Sequence, residues 1–298
     1  MANNRDIDNF LLTAEFLEIE SMFGYNALNR YLEELMFLEN GGKYKDLGIG
    51  QRRKEAAMSF LVPTDGVYNT VGRYDLREGL VPKGSIAMLN LSGVMRTQSG
   101  LSSQGADSFV NDLREAYANP NVSGVIINTF SGGGESSAGN MIKNAIQERN
   151  KPVVGLATMA ASAAYRALSG ADEIIAAGDQ SEFGSIGTMI SIDNKMLEKL
   201  RGRITDIYGE DAPNKNGEHR AMMEGDFSKL QERVTKLTKS FHDEIKRDRP
   251  LRGGDDMIKE TLSGSMFDAN EAKKRGLIDA VGNLPFAIKR VNALKSKY

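Results

Sequence analysis

One serine is set among small residues in the run ATMAASAAY (157–165), where five alanines surround Ser162 and a tyrosine closes the segment. Further upstream, Ser131-Gly132-Gly133-Gly134 follows directly on the apolar stretch VSGVIINTF (122–130). Glycines after a buried strand let backbone N–H groups approach a ligand closely. This run also opens onto a helix N-terminus, so it suits an oxyanion hole or a phosphate cradle. No Gly-Lys-Ser/Thr follows it and it is not GxGxxG, which excludes the P-loop and the dinucleotide fingerprint. Taken singly, the glycine run reads as a strand-to-helix turn, and Ser162 as an N-cap or small packing residue. Taken together, they lie one crossover unit apart. In a parallel sheet both loops emerge at the carboxyl ends of their strands, where ligands bind. A serine beside close-approaching N–H groups is the chemistry of acyl transfer.

A serine nucleophile needs a base within hydrogen-bond reach. The chain has no cysteine and two histidines, His219 and His242. His242 falls within a polar helical segment and reads as a solvated helix residue. His219 is in a loop from which it could approach Ser162, but no carboxylate is clearly placed to orient it. A ClpP-like Ser-His-Asp arrangement would want a histidine a few tens of residues after Ser162, and that stretch carries EFGSIGTM and no histidine. A lysine whose pKa burial lowers toward the working pH is the other solution. The loop IYGEDAPNKNGEH (207–219) contains one, Lys215. Composition alone does not select among these groups.

The elements that must position these residues begin after Gly84. SIAMLNLSGVM (85–95) is strand-like, and GADSFVNDLREAYA (105–118) is an amphipathic helix with Phe109, Leu113 and Tyr117 on one face. A buried strand over 122–130, a helix from SAGNMIKNAIQERN, a strand at PVVGLAT (152–158), a helix from ASAAYRALSGA and a short strand EIIAAG come in turn. Strands alternating with helices at this spacing predict crossover units and a mostly parallel sheet. A long polar helix over 226–249 carries Leu230, Val234, Leu237 and Phe241 on one stripe. Asp268 and Glu271 have capping-box spacing ahead of a helix that Gly276 ends. Upstream, Phe10, Leu11, Phe16, Leu17 and Phe23, then Leu28, Leu32, Leu35 and Met36, predict two helices stopped at Asn40-Gly41-Gly42. Residues 43–83 read as a connector with one short strand at 58–62. The expected organisation is therefore an N-terminal helical extension (1–42), a connector (43–83) and an α/β domain (84–298).

Composition narrows the classes of function. Of the 298 residues 40% are hydrophobic and 26% charged, enough for a sizeable core. A net charge of -2 gives no reason to expect nucleic acid as a partner, and Gln51-Arg52-Arg53-Lys54 reads as a solvated loop. The absence of cysteine excludes a disulfide framework, a cysteine nucleophile and thiolate metal sites, and nothing calls for a cofactor or metal. The opening MANNRDIDNF lacks a secretory pattern, and no apolar run approaches the ~18 residues of a membrane span. The expectation is a soluble protein of the cytoplasm, without membrane contact.

The motifs occur in an order that resembles the S49 family of serine peptidases, the signal-peptide-peptidase-A type, and most closely its phage prohead (capsid maturation) members. GVIINTFSGGG stands where that family has a strand followed by Asp-Ser-Pro-Gly-Gly, and KPVVGLATMAASAAYRALSGADEIIA stands for its nucleophile segment. SEFGSIGTMI matches a Gly-Ser-Ile-Gly element at Gly184 to Gly187, APNKNGEH resembles the phage-type Pro-Asn-Lys loop, and GSMFDANEAKKRGLIDAVGNLPFAI resembles the closing segment. Together they cover about two-thirds of the chain.

The resemblance implies a crotonase/ClpP-like α/β fold and a Ser162–Lys215 dyad. It also implies an oxyanion hole of backbone N–H groups at Gly133 and Ala163, with Ser185 as a residue that could orient Lys215. The implied substrates are phage head proteins (scaffold, capsid or portal) cleaved during prohead maturation by a homo-oligomeric enzyme in the host cytoplasm or inside the prohead. Three departures stand against the family pattern: Phe130 for its aspartate, Gly132 for its proline, and Ala163-Ala164 for a glycine pair. The departures at Phe130 and Gly132 motivate the alternative of an inactive structural head component with the same fold. A crotonase-type acyl-CoA enzyme ranks last, because it does not explain why a serine and a lysine both arrive where a peptidase needs them.

Overall fold

The computed structural model describes residues 17–19, 58–73, 80–99, 104–201, 203 and 205–298. Its centre is three parallel strands, β4 (Ser85–Ser92), β5 (Val122–Ser131) and β7 (Val153–Ala161), in the order β7-β5-β4. Parallel neighbours require crossovers. Helix α1 (Ala106–Ala118) joins β4 to β5, and α2 (Ser136–Gln147) joins β5 to β7. β5 is apolar on both faces because both faces are covered. Val125 and Ile127 belong to the core beneath α1 and α2, while Ile126 packs with Ala287, Val291 and Leu294 of the C-terminal helix α9 (Leu284–Leu294). Side chains at Val125 and Ile126 point to opposite faces, as strand geometry demands.

The sheet extends on both sides. β2 (Ser59–Thr64) and β3 (Val67–Gly72) form an antiparallel hairpin that continues from β4. On the other edge β7 forks. Its residues 154–157 pair in parallel with β8 (Glu173–Ala176), and residues 159–161 pair in parallel with β9 (Glu182–Gly184). The register against β5 slips at the same place, with Thr129 opposite Ala157 but Phe130 opposite Met159, so Thr158 is an extra residue. Bulges bend a strand and re-aim the residues beyond them, and the residue that follows this strand is Ser162. β10 (Met266–Asp268) and β11 (Ala280–Val281) close the edge beside β9 and β8. A mostly parallel sheet with crossover helices, as the alternation of strands and helices predicts, is the architecture this chain adopts.

Small residues let the helices approach. A Cβ on Gly139 of α2 would lie 2.8 Å from the Ala163 carbonyl oxygen, and one on Gly124 of β5 would lie 2.4 Å from Val291 Cγ1. Asp268 accepts from the Glu271 N–H to start α8 (Ala269–Lys274), and Gly276 comes after that helix at φ 79°, as the capping pattern predicts.

Two expectations upstream of Gly84 change. Leu17–Ile19, inside the first helical pattern, form strand β1, antiparallel to β6 (Gly133–Glu135). Backbone pairing along a free strand edge overrides a helical spacing that only tertiary contacts could have rewarded. The rest of that pattern and the second predicted helix lie outside the described residues. The stretch read as a connector contributes β2 and β3 to the main sheet, with buried Phe60 and Leu61 in its two cores. Its turn residues Asp65 and Gly66 both have positive φ, the signature of a tight hairpin.

Candidate active site

Ser162 is the single residue between β7 and α3 (Ala163–Leu168), at φ 54° and ψ -120°. That conformation is strained for a residue with a Cβ, costing about 1–3 kcal/mol, and strain of this kind gathers where function demands it. A sharp strand-to-helix turn that projects a serine is the device of a nucleophile elbow. The turn is held by backbone bonds: Ser162 N–H donates to the Gly184 carbonyl at 2.9 Å, and Arg166 N–H donates to the Ser162 carbonyl at 2.9 Å. The serine is 1% exposed, and its Oγ donates to the Gly187 carbonyl at 3.5 Å.

The glycine turn lies at the end of β5, and its backbone is fully committed on one side. Ser131 Oγ donates to the Gly93 carbonyl at 2.7 Å and accepts from Gly133 N–H at 3.1 Å. Met95 N–H donates to Gly133, and Glu135 N–H donates to Met95, both at 2.9 Å. A Cβ on Gly134 would sit 2.1 Å from the Met95 oxygen, so only glycine fits. With Gly133 and Glu135 turned toward Met95, Gly134 presents its own N–H and C=O to the opposite edge. There β1 lies antiparallel, Glu18 opposite Gly134. β1 also lies against α3. Of the two expected oxyanion donors, Gly133 N–H is thus engaged by a hydroxyl. Ala163 N–H is the first of its helix, one of the groups that lack an intrahelical acceptor.

Ser185, the expected supporting residue, has φ 51° in the tight turn just after β9, and its N–H donates to Ser265 at 2.9 Å. Its hydroxyl makes no hydrogen bond among the described residues. Of the next three residues, the first and third are tied to α6 (Ser228–Asp248): His242 Nε2 meets the Ile186 carbonyl at 3.3 Å, and Thr188 N–H donates to Thr238 Oγ1 at 3.1 Å. His242 is therefore not the solvated helix residue its polar surroundings suggest. It is half-buried, and burial pushes its imidazole below the usual histidine range, partly opposed by its bond to Ile186.

Lys215 sits in the turn before α5 (Gly217–Met223), its N–H donating to Ala212 at 3.1 Å and its side chain exposed. No hydrogen bond joins it to Ser162 among the described residues. The loop around it is self-packed. Arg220 stacks 4.7 Å from the Tyr208 ring and donates to the Pro213 carbonyl. His219 has a carboxylate neighbour after all, Asp206 Oδ2 at 3.7 Å from Nε2, but both side chains are roughly two-fifths exposed (41% and 43%).

A buried ionic cluster that sequence reasoning missed lies behind the elbow. Arg166, one turn into α3, is 1% exposed, donates to Ser136 Oγ at 2.7 Å and lies 4.1 Å over the Phe241 ring. Glu244 approaches its Nε at 3.6 Å and accepts from buried Lys143 Nζ at 2.7 Å, while Asp248 lies 2.6 Å from the same ammonium. The spacing of Phe241, Glu244 and Asp248 was the available signal, a helical stripe of one aromatic and two acids. Tyr165, buried beside it, donates to the Leu277 carbonyl at 2.8 Å, and burial pushes its phenol well up. Among the described residues no acidic or histidine cluster could hold a metal ion, and no helix is long and apolar enough to cross a membrane.

Residues 145–297, just over half of the chain, match the family model described as Peptidase family S49. The chain belongs to peptidase family S49. It is 28% identical over 254 residues to a protein of Enterococcus faecium named for signal peptide peptidase SppA, covering 78% of this chain and 71% of that one. It is 26% identical to the chloroplastic serine protease SPPA of Arabidopsis thaliana, covering 88% of this chain but only 41% of the plant protein. Among solved structures, a ClpP1 mutant from Listeria monocytogenes superposes over 67% of this chain and 94% of that one, at 13% identity and TM-score 0.42. This S49 chain is accordingly a serine peptidase with the elbow, glycine strand and ionic cluster described above.

Proposed function

We propose that this S49 peptidase cleaves proteins with Ser162 as nucleophile and Lys215 as general base. The observation that carries the reading is the elbow: a buried serine held at φ 54° between a strand and a helix, beside a glycine strand. Ser162 Oγ attacks the scissile carbonyl while the neutral amine of Lys215 takes its proton, and that proton then passes to the leaving amine. Water, activated by the same amine, hydrolyses the acyl-enzyme. The Ala163 N–H, without an acceptor among the described residues, stabilises the oxyanion. The Gly133 N–H would join it by exchanging its bond to Ser131 Oγ. Such donors contribute about 2.7–4 kcal/mol each. An exposed lysine is a poor base, so the turn carrying Lys215 must be covered in the working enzyme, by substrate or by a second subunit of a homo-oligomer.

The substrate backbone runs along the edge of β6 that β1 occupies, since that edge already pairs with an extended strand. Phe130, 54% exposed, and its register partner Met159 offer an apolar surface at the carboxyl ends of β5 and β7, which suits small or apolar substrate side chains. The resemblance of the Pro-Asn-Lys loop to prohead proteases supports phage head proteins as the substrates, met in the host cytoplasm or inside the prohead. The test is to incubate wild-type protein and Ser162→Ala with candidate head proteins and with a fluorophosphonate probe. Cleavage and labelling by the wild type alone are expected. Labelling that survives Ser162→Ala overturns the nucleophile, and cleavage of model peptides but no head protein overturns the substrate.

A further inference from the structure

Gly187 is the residue whose carbonyl accepts from the Ser162 hydroxyl, and it has no side chain of its own to anchor it. A Cβ there would meet no atom within 4 Å among the described residues, so that side of the residue is open, and glycine itself leaves its dihedrals free. Its two neighbours do the fixing. On one side the Ile186 carbonyl, which can only accept, bonds to His242 Nε2 at 3.3 Å, so the ring carries its proton on that nitrogen. On the other the Thr188 N–H donates to Thr238 Oγ1 at 3.1 Å. Thr238 and His242 are four residues apart and therefore share one face of α6. The same helix, through Phe241 and Glu244, holds Arg166, whose N–H caps the Ser162 carbonyl.

We infer that Thr238 and His242 are positioning residues for the nucleophile: by clamping Ile186 and Thr188 they aim the Gly187 carbonyl, and with it the Ser162 hydroxyl. α6 thereby sets both halves of the elbow, the helix that begins after Ser162 and the carbonyl that faces it. Neither residue touches substrate. Misaiming a reacting atom by a fraction of an ångström is sufficient to slow chemistry without weakening binding.

The inference rests on Ser162 being the nucleophile, and the experiment separates the two. The second-order rate of fluorophosphonate labelling is measured for the full chain as wild type, Ser162→Ala, Thr238→Val, His242→Phe and His242→Gln, with kcat and KM on a peptide substrate. Thr238→Val and His242→Phe remove one bond each at similar volume. Each is expected to slow labelling by about 10- to 100-fold and to lower kcat with KM unchanged. His242→Gln, which keeps an N–H donor at similar reach, is expected to recover most of the rate, a rescue that a purely packing role would not give. If Ser162→Ala abolishes labelling while Thr238→Val and His242→Phe label at the wild-type rate, the clamp is refuted and the nucleophile stands. If Ser162→Ala still labels, both readings fall. Should His242→Phe fail to fold, Thr238→Val decides alone.

Discussion

The hydroxyl of Ser162 points at the carbonyl of Gly187, 3.5 Å away, and, among the described residues, not at any amine or imidazole. A backbone carbonyl can hold that proton but cannot take it. With Ser162 as the proposed nucleophile, the arrangement is a resting one, in which the hydroxyl is aimed and a base has still to be brought to it. Everything around the serine keeps it there: the bulge at Thr158, the N–H bond to Gly184 and the α6 residues behind.

The strain at Ser162 is measurable in variants. Both Ser162→Gly and Ser162→Ala remove the hydroxyl, and both are expected to be inactive. They differ in that alanine keeps the Cβ at φ 54° while glycine has none. Glycine in place of alanine ordinarily destabilises, but here Ser162→Gly is expected to be the more stable of the two by about 1 kcal/mol. Urea unfolding of the two proteins checks it, and equal midpoints would mean the elbow is unstrained.

The base can be assigned by comparing three substitutions. Lys215→Ala is expected to lower kcat/KM by about 10²- to 10⁴-fold. Because the side chain is exposed and unbonded among the described residues, stability should stay within ~0.5 kcal/mol. His219→Ala and Asp206→Asn remove the neighbouring imidazole–carboxylate pair and should leave kcat/KM near the wild-type value. The opposite pattern would move the base from Lys215 to His219.

The features legible in the sequence are those that local chemistry determines. The crossover strands and helices from Ser85 to Ala176 follow from apolar runs and periodicity, and the Asp268 cap and the Gly276 stop follow from three-residue spacing. The illegible ones depend on residues far apart in the chain meeting. The fork of β7 exists because β8 and β9 compete for one edge, and no residue near Thr158 announces it. His242 looked solvated because Asp243 and Lys246 flank it. It is half-buried because a loop more than fifty residues upstream closes over its ring. The Gly-Ser-Ile-Gly segment was legible as a motif, but its attachment to α6 was not. β1 was legible as neither strand nor partner, since three residues of backbone pairing leave no periodicity to detect.

The β1 strand offers a direct test of the docking edge. Glu18 lies opposite Gly134, the glycine whose N–H and C=O face that edge. Glu18→Pro removes the backbone N–H there, whereas Glu18→Ala keeps it. If substrate displaces β1, Glu18→Pro should lower KM by about 2- to 10-fold at constant kcat, the range that one net backbone hydrogen bond supplies. Glu18→Ala should change neither constant. A raised KM in Glu18→Pro would instead make β1 part of the substrate site.

His242 also predicts how stability responds to acid. Burial holds its folded-state pKa below the unfolded value of about 6.5, so the unfolded chain binds this proton first. Above about pH 6.5 the group is neutral in both states and its contribution is fully present. As pH falls below that, the unfolded state is favoured, and the loss is complete once pH passes the depressed folded pKa. The ring is faced by Lys246, which depresses the pKa further, and by Asp243 with the backbone of Ile186 and Leu262, which oppose the shift. His242→Gln cannot titrate. The stability difference between wild type and His242→Gln, followed by urea unfolding from pH 7.5 to pH 4.5, should therefore move against the wild type as acid is added. It should be flat above about pH 7. A difference that stays constant across the range, or moves in favour of the wild type, would show that the imidazole is not held neutral against Ile186.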